Sequence, residues 1–246
     1  MPWPPRSADA KQLLDKLAGM WDTQLPDAEP RQLANVLWAC GKLQYTNPQV
    51  LSSTLTEFQE QLQQGIQDVN SVDIANALHG LASAAAAARR EVPGVPAEEL
   101  TAAVCQLGEC MQVLVTRPWL EGVEPQHISN VLWACAKLRI NPGDAVLNSI
   151  LQAMSRPALL EAVLQHLANV MWAASELRQR CSWQPHVDQR VWQRLLGEQQ
   201  LSSISGSGMP QHVSNTLQAL ARLSLPAANP TCASSVISLE YAQWCA

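Results

Sequence analysis

The sequence predicts an all-α fold, a right-handed α-solenoid of about five tandem helix-turn-helix repeats. Three observations predict it. A twelve-residue segment recurs along the chain, a proline stands at a fixed offset before several copies, and a second apolar-periodic stretch follows them.

The recurring segment is Gln32-Leu33-Ala34-Asn35-Val36-Leu37-Trp38-Ala39-Cys40-Gly41-Lys42-Leu43, which returns as His127-Ile128-Ser129-Asn130-Val131-Leu132-Trp133-Ala134-Cys135-Ala136-Lys137-Leu138. A third copy is His166-Leu167-Ala168-Asn169-Val170-Met171-Trp172-Ala173, and weaker copies begin at Asp73 and His212. The asparagines at 35, 76, 130, 169 and 215 are separated by 41, 54, 39 and 46 residues. A period of that size suits a helical hairpin with loops of variable length. The longest interval holds Ala84 to Ala88, Arg89, Arg90 and Pro93-Gly94-Val95-Pro96 and reads as an insertion between two helices.

Pro30, Pro125 and Pro210 each stand five residues before an asparagine of the motif. There a missing amide costs a helix nothing, because the first-turn donors have no partner within the helix. Asn47-Pro48, Asn141-Pro142 and Leu225-Pro226 read as stops, since the residue before proline is pushed out of helical geometry. Leu51, Leu55, Phe58 and Leu62 then recur at helical spacing, as do Val146, Leu147, Ile150, Leu151 and Met154. The repeats are expected to occupy residues 25–225 of a single solenoid domain, with a helical cap or partial repeat over 1–24 and another over 226–246. A lone helical pair buries too little of its own apolar face, so consecutive repeats must stack.

At about 100° per residue, Leu33, Val36, Leu37, Cys40 and Leu43 share one face of the first copy, with Ala34 and Gly41 at its margin. Arg31, Asn35, Trp38 and Lys42 fall on the other side. The equivalent stripes are Val72, Asn76, His79 and Ser83; Gln126, Asn130, Trp133 and Lys137; Gln165, Asn169, Trp172 and Glu176; and Gln211, Asn215, Gln218 and Arg222. Amides, indoles and intermittent cations in parallel rows suit single-stranded RNA, because every base has a face that stacks on an aromatic ring.

Bland readings stand beside this one. The asparagine column, present in every copy, would also serve as a hydrogen-bond ladder between neighbouring helices, and the indoles would also pack against the next repeat. The columns that vary are the better candidates for base readout. One runs Gln32, Asp73, His127, His166 and His212, and the other Lys42, Ser83, Lys137, Glu176 and Arg222. The three histidines lie on separate helices without a second ligand column, so no metal is expected, and capping or solvent exposure is their alternative role.

With 47% apolar and 15% charged residues, disorder throughout is excluded. No run approaches the roughly 18 apolar residues of a membrane-spanning helix, so membrane insertion is not expected. The formal charge of −5 means that a polyanion must be met locally. Seven cysteines with no Cys-x-x-Cys pair read as small core residues in a reducing compartment rather than as a disulfide framework or zinc site. Gly-rich phosphate loops, nucleophile elbows and His-Glu-x-x-His are absent from the sequence, so neither catalysis nor a cofactor nor a small-molecule substrate is expected. The opening Met1-Pro2-Trp3-Pro4-Pro5-Arg6 has neither a signal-peptide core nor the composition of a transit peptide, which leaves room for an N-terminus further upstream and for a longer array.

The segment at 32–43 and its copies at 127–138 and 166–177 resemble the octotricopeptide repeat family of green-algal organelle proteins. They are also similar to the helical region of the Fas-activated serine/threonine kinase group that carries a terminal RAP domain. The resemblance covers about residues 25–225 and is weaker where His79 and Gln218 replace tryptophan. It implies an RNA-binding factor, within a ribonucleoprotein complex, acting after transcription in a chloroplast or mitochondrion on RNA stability, processing, splicing or translation. A footprint of about one base per repeat follows. A protein-interaction scaffold built on the same face is the competing expectation.

Overall fold

The computed structural model describes residues 8–64, 69–91, 123–155, 164–197, 202, 206 and 209–223, and the fold is all-α. The proline-rich stretch 93–96, Cys105, Cys110, the stop at 225–226, residues 1–7 of the expected N-terminal cap and the whole expected C-terminal cap at 226–246 lie outside the described residues. The chain forms two compact units, Met1–Trp119 and Leu120–Ala246.

In the first unit α1 (Ala8–Gln24) leads through a short 3-10 turn (Leu25–Asp27) into α2 (Pro30–Leu43), followed by α3 (Pro48–Gln63) and α4 (Ser71–Glu91). In the second, α5 (Pro125–Leu138), α6 (Asp144–Ala153), α7 (Leu164–Cys181), α8 (Gln189–Leu195) and α9 (Pro210–Leu223) follow one another. The five asparagine motifs are thus α2, α4, α5, α7 and α9. These helices pack on their neighbours in the row: α2 on α4 in the first unit, and α5 on α7 and α7 on α9 in the second. The second helices α3 and α6 pack on α2 and α5, and α1 packs on α3.

The two closest copies of the motif fold alike from end to end. Pro30 and Pro125 take the first helical position, and Gln44 and Arg139 end the helices in the left-handed conformation at φ 54° and 60°. Both ends are closed by a Schellman motif. Tyr45 N donates to Cys40 O at 2.9 Å and Ile140 N to Cys135 O at 3.0 Å. The helices therefore stop three to four residues before the proline signals read from the sequence. Asn47-Pro48 instead opens α3, where Asn47 Oδ1 accepts from Gln49 N and Val50 N.

Two further expectations are corrected. Ala84 to Arg90 does not form an inter-helix insertion but continues α4, as the high helix propensity of alanine favours. The buried face of α2 is also turned from its expected position: Leu33, Ala34, Leu37, Cys40 and Gly41 are buried, whereas Val36 is half-buried and Leu43 exposed. The seam with α4 causes the turn. A Cβ on Gly41 would lie 2.7 Å from Gly80 Cα, and one on Gly80 would lie 2.5 Å from Trp38 Cα. The two backbones touch, so the small-residue side of α2 is core.

The same two columns hold small residues throughout. Four residues past the asparagine stand Ala39, Gly80, Ala134, Ala173 and Ala219, and six residues past it Gly41, Ala82, Ala136, Ser175 and Ala221. In α5, α7 and α9, Ala136, Ala173, Ser175 and Ala219 are buried.

Gly80→Ala is expected to destabilise the first unit by about 2 kcal/mol, because backbone cannot rotate away from the new methyl and overpacking outweighs the gain in helix propensity. Gly19→Ala in α1, where a Cβ meets nothing within 4 Å, is expected to stabilise by about 0.5–1 kcal/mol. Urea unfolding of the two variants beside the parent distinguishes a backbone seam from an ordinary helix surface.

Candidate functional site

The polar stripe of α2 lies where the wheel puts it: Arg31, Asn35, Trp38 and Lys42 are all exposed. In the second unit, Gln126, Gln165 and Gln211 are exposed, while Asn130, Trp133 and Lys137 on α5, Asn169 and Trp172 on α7, and Asn215 and Arg222 on α9 are half-buried. In α4, Asn76 and His79 are half-buried. The indoles are not core residues. Among the described residues the largest fully buried side chain belongs instead to Trp183, beyond α7 and outside the motif.

Each lysine of the stripe covers the indole one turn before it. Lys42 Nζ stands 5.4 Å from the Trp38 ring centroid and Lys137 Nζ 5.5 Å from that of Trp133. Lys137 also lies 4.7 Å from the Trp172 ring on the next helix of the row. In the first unit His79 takes the place of the tryptophan in the second motif. Burial and then the nearby Lys42 ammonium hold the His79 imidazole below its ordinary range. Lys137 thus reaches the ring of the next motif as well as its own, and Lys42 acts on His79 through its charge.

The second unit departs from this rule at α7, where the stripe position holds Glu176. Its side chain is buried and its carboxylate is shared: Arg180 Nε donates to Oε2 at 2.6 Å, and Arg222 of α9 donates to Oε1. Burial opposes ionisation, yet these two guanidinium groups hold the carboxyl below its usual range. Arg178 donates to the Leu223 carbonyl and closes the end of α9. The stripe's cation is therefore neutralised between α7 and α9, which the opposite charges of Glu176 and Arg222 in one column already signal.

The asparagine ladder does not form. Among the described residues none of Asn35, Asn76, Asn130, Asn169 and Asn215 donates or accepts a side-chain hydrogen bond.

The first variable column has a clear local role. Gln32 Oε1 accepts from Glu29 N at 2.8 Å, Asp73 Oδ2 from Asn70 N at 3.4 Å, His127 Nδ1 from Glu124 N at 3.2 Å, and His212 Nδ1 from Met209 N at 3.3 Å. These side chains at the third helical position reach back to the amide of the cap residue, one half of a capping box. Glutamine, aspartate and histidine are interchangeable there because each places an acceptor at the same distance. His166 occupies the same column, and its Nδ1 is buried without a partner among the described residues. No three His, Cys, Asp or Glu side chains converge as a metal site among the described residues.

The thiols of the motif are core groups. Burial pushes the Cys40 thiol up to about 11 and raises Cys135 further, which suppresses the reactive thiolate. No helix among the described residues is long and apolar enough to cross a membrane. No protein-family model matches the chain, and no curated protein matches it.

Two histidines of this column imply a pH dependence. Burial lowers the imidazole pKa of His127 and His166 below the ordinary 6.5. Above pH 6.5 both folded and unfolded chains hold these rings neutral and their contribution is complete. As the pH falls below that value the unfolded chain takes up the protons first, and stability is lost down through the folded-state pKa. Denaturant midpoints are expected to fall between about pH 7.5 and about pH 5.5, and His127→Gln, which keeps the acceptor without the proton uptake, is expected to reduce that fall.

Proposed function

We propose that the chain is a single-stranded RNA-binding repeat protein whose ligand lies along the asparagine-bearing first helices of a right-handed α-solenoid of five repeats. The observation that carries the reading is the pairing of ammonium and indole on the first helices, with Lys42 over Trp38 and Lys137 over both Trp133 and, on the next helix, Trp172.

The arrangement suits stacking in three ways. The half-buried indoles have lost part of their water and rotamer freedom before any ligand arrives, which lowers the ordering cost of binding. The ammonium over each ring contributes about 0.5–1 kcal/mol at a solvent-facing site, small enough to be exchanged for a phosphate contact while a base takes the ring face. The unpaired asparagine amides beside the rings supply both donors and acceptors. The capping column is assigned to folding and Arg222 to its ion pair with Glu176, which leaves Arg31, Asn35, Trp38, Lys42, Asn76, His79, Gln126, Asn130, Trp133, Lys137, Gln165, Asn169, Trp172, Gln211 and Asn215 as the contact set. An organelle setting, with a role in transcript stability, processing or translation, is proposed on the resemblance of the Asn-x-Leu-Trp-Ala core alone.

A helical-repeat scaffold for another protein is the second reading. It is favoured by the Glu176–Arg222 pair, which removes a cation from the stripe, and by the net charge of −5.

Anisotropy of a fluorescein-labelled pool of random short single-stranded RNA separates the two. Binding is expected to weaken with salt. Trp133→Ala is expected to cost about 1–3 kcal/mol, on the order of a fivefold to 150-fold loss, and Lys137→Ala to weaken binding and to lower the salt slope by about one. A folded protein that binds none of the pool at low salt sinks the RNA reading and leaves the scaffold.

A further inference from the structure

α7 departs from the other first helices of its unit in length as well as in charge. α2, α5 and α9 each have 14 residues and end soon after the stripe's cation at Lys42, Lys137 and Arg222, whereas α7 has 18 residues and carries the polar face one turn further. Gln165, Asn169, Trp172, Glu176 and Arg180 follow one another at spacings of four, three, four and four, so Arg180 continues the stripe past its acidic position. The equivalent residues after α2 and α5, Thr46 and Asn141, lie beyond the helix ends.

The contacts of Arg180 are one-sided. Its Nε donates to Glu176 Oε2 at 2.6 Å, while Arg222 of α9 holds Oε1. Among the described residues Nη1 and Nη2 of Arg180 have no hydrogen-bond partner, and the side chain is 43% exposed where that of Glu176 is 10% exposed. A guanidinium tied through Nε keeps the edge formed by its two terminal nitrogens, which matches two oxygens of one oxyanion. Two guanidinium groups on one carboxylate also leave a positive charge uncompensated. Arg139, exposed just past α5, adds to it: burial pushes the Cys181 thiol up, and the charges of Arg139 and Arg180 both oppose that rise. Arg178, the other cation in the last turn of α7, is engaged by the Leu223 carbonyl and serves the end of α9.

We propose that Arg180 is the phosphate-contacting residue of the fourth motif, that Glu176 is its positioning residue, and that the group bound is a backbone phosphate of the RNA whose base stacks on Trp172. The inference rests on the RNA-binding reading above. In α2 and α5 the stripe's own lysine stands over the indole one turn before it and must leave that ring to meet a phosphate. In α7 the neighbouring Lys137 covers Trp172, and the motif's own cation is held by a carboxylate away from the ring. Glu176 thus moves the cation of its motif by one turn, with Arg180 in the role that Lys42 and Lys137 have in theirs.

The test titrates the full chain into a fluorescein-labelled pool of random short single-stranded RNA at several salt concentrations. Arg180→Ala is expected to weaken binding roughly tenfold and to lower the salt slope by about one. Arg180→Lys is expected to keep the slope and to recover only part of the affinity, because an ammonium lacks the fork. Arg190→Ala removes an equal charge from the exposed side of α8 and is expected to change affinity less than about twofold, since salt screens a distant charge. Urea midpoints of the variants are expected to match the parent's, as a part-exposed pair one turn apart contributes little. A folded Arg180→Ala protein that binds like the parent, or loses no more than Arg190→Ala, overturns the inference and leaves the RNA reading standing. Full affinity in Arg180→Lys overturns it as well, and does so even where the alanine variant fails to fold. A parent chain that binds none of the pool overturns both.

Discussion

The contact between the backbones of α2 and α4 at Gly41 and Gly80 is the constraint from which the rest of the first unit follows. With no Cβ on either glycine, the helices meet at a distance that no larger pair of residues permits. That distance turns α2 so that Ala34 and Gly41 become core, and it moves the polar edges of the two helices together. The Lys42 ammonium then adds to burial in lowering the His79 pKa, and burial raises the Asp73 pKa against the opposing Asn70 amide and Arg31 charge. In the second unit alanine and serine hold the same columns, and Lys137 reaches across to Trp172. Packing thus decides the electrostatics of the stripe, because a cation–ring contact needs a separation of less than about 6 Å.

Helix ends contribute a second layer of order. The residue that reaches back to the cap amide is glutamine, aspartate or histidine in different motifs, with the acceptor conserved in position while the chemical group changes. Variation in such a column reflects tolerance, since any acceptor of suitable reach satisfies the orphan amide. The second variable column differs in kind. There Lys42, Lys137, Glu176 and Arg222 meet groups on the neighbouring helix, so each change alters a partner as well as a charge. Glu176 shows the effect most clearly, because burying its carboxylate is tolerable only with Arg180 and Arg222 on its two oxygens.

An acidic chain presents local positive charge by this arrangement. In Trp38–Lys42 and Trp133–Lys137–Trp172 the ammonium stands over an aromatic face, while Arg222 of the last motif is held in an ion pair with Glu176. The motifs therefore differ in the charge they present, although the pattern that builds them is the same.

The all-α class, the five motifs, the proline starts and the apolar spacing of α3 and α6 were legible in the sequence, because they depend on periodicities of 3.6 residues and on proline's missing amide, both local properties. The outward stripe of α2 was legible for the same reason. The role of the capping column, the burial of Glu176 and the sharing of Lys137 between two indoles were decided by tertiary structure. The seam was as well, since Gly41 and Gly80 stand in different columns and nothing local shows that they meet. Ala84 to Arg90 also went beyond a local reading: the repeat period suggested a break, and α4 continues through it. A helical wheel gives the direction of a side chain relative to its own axis. Which directions become core depends on how closely the next helix approaches, and here two glycines set that approach.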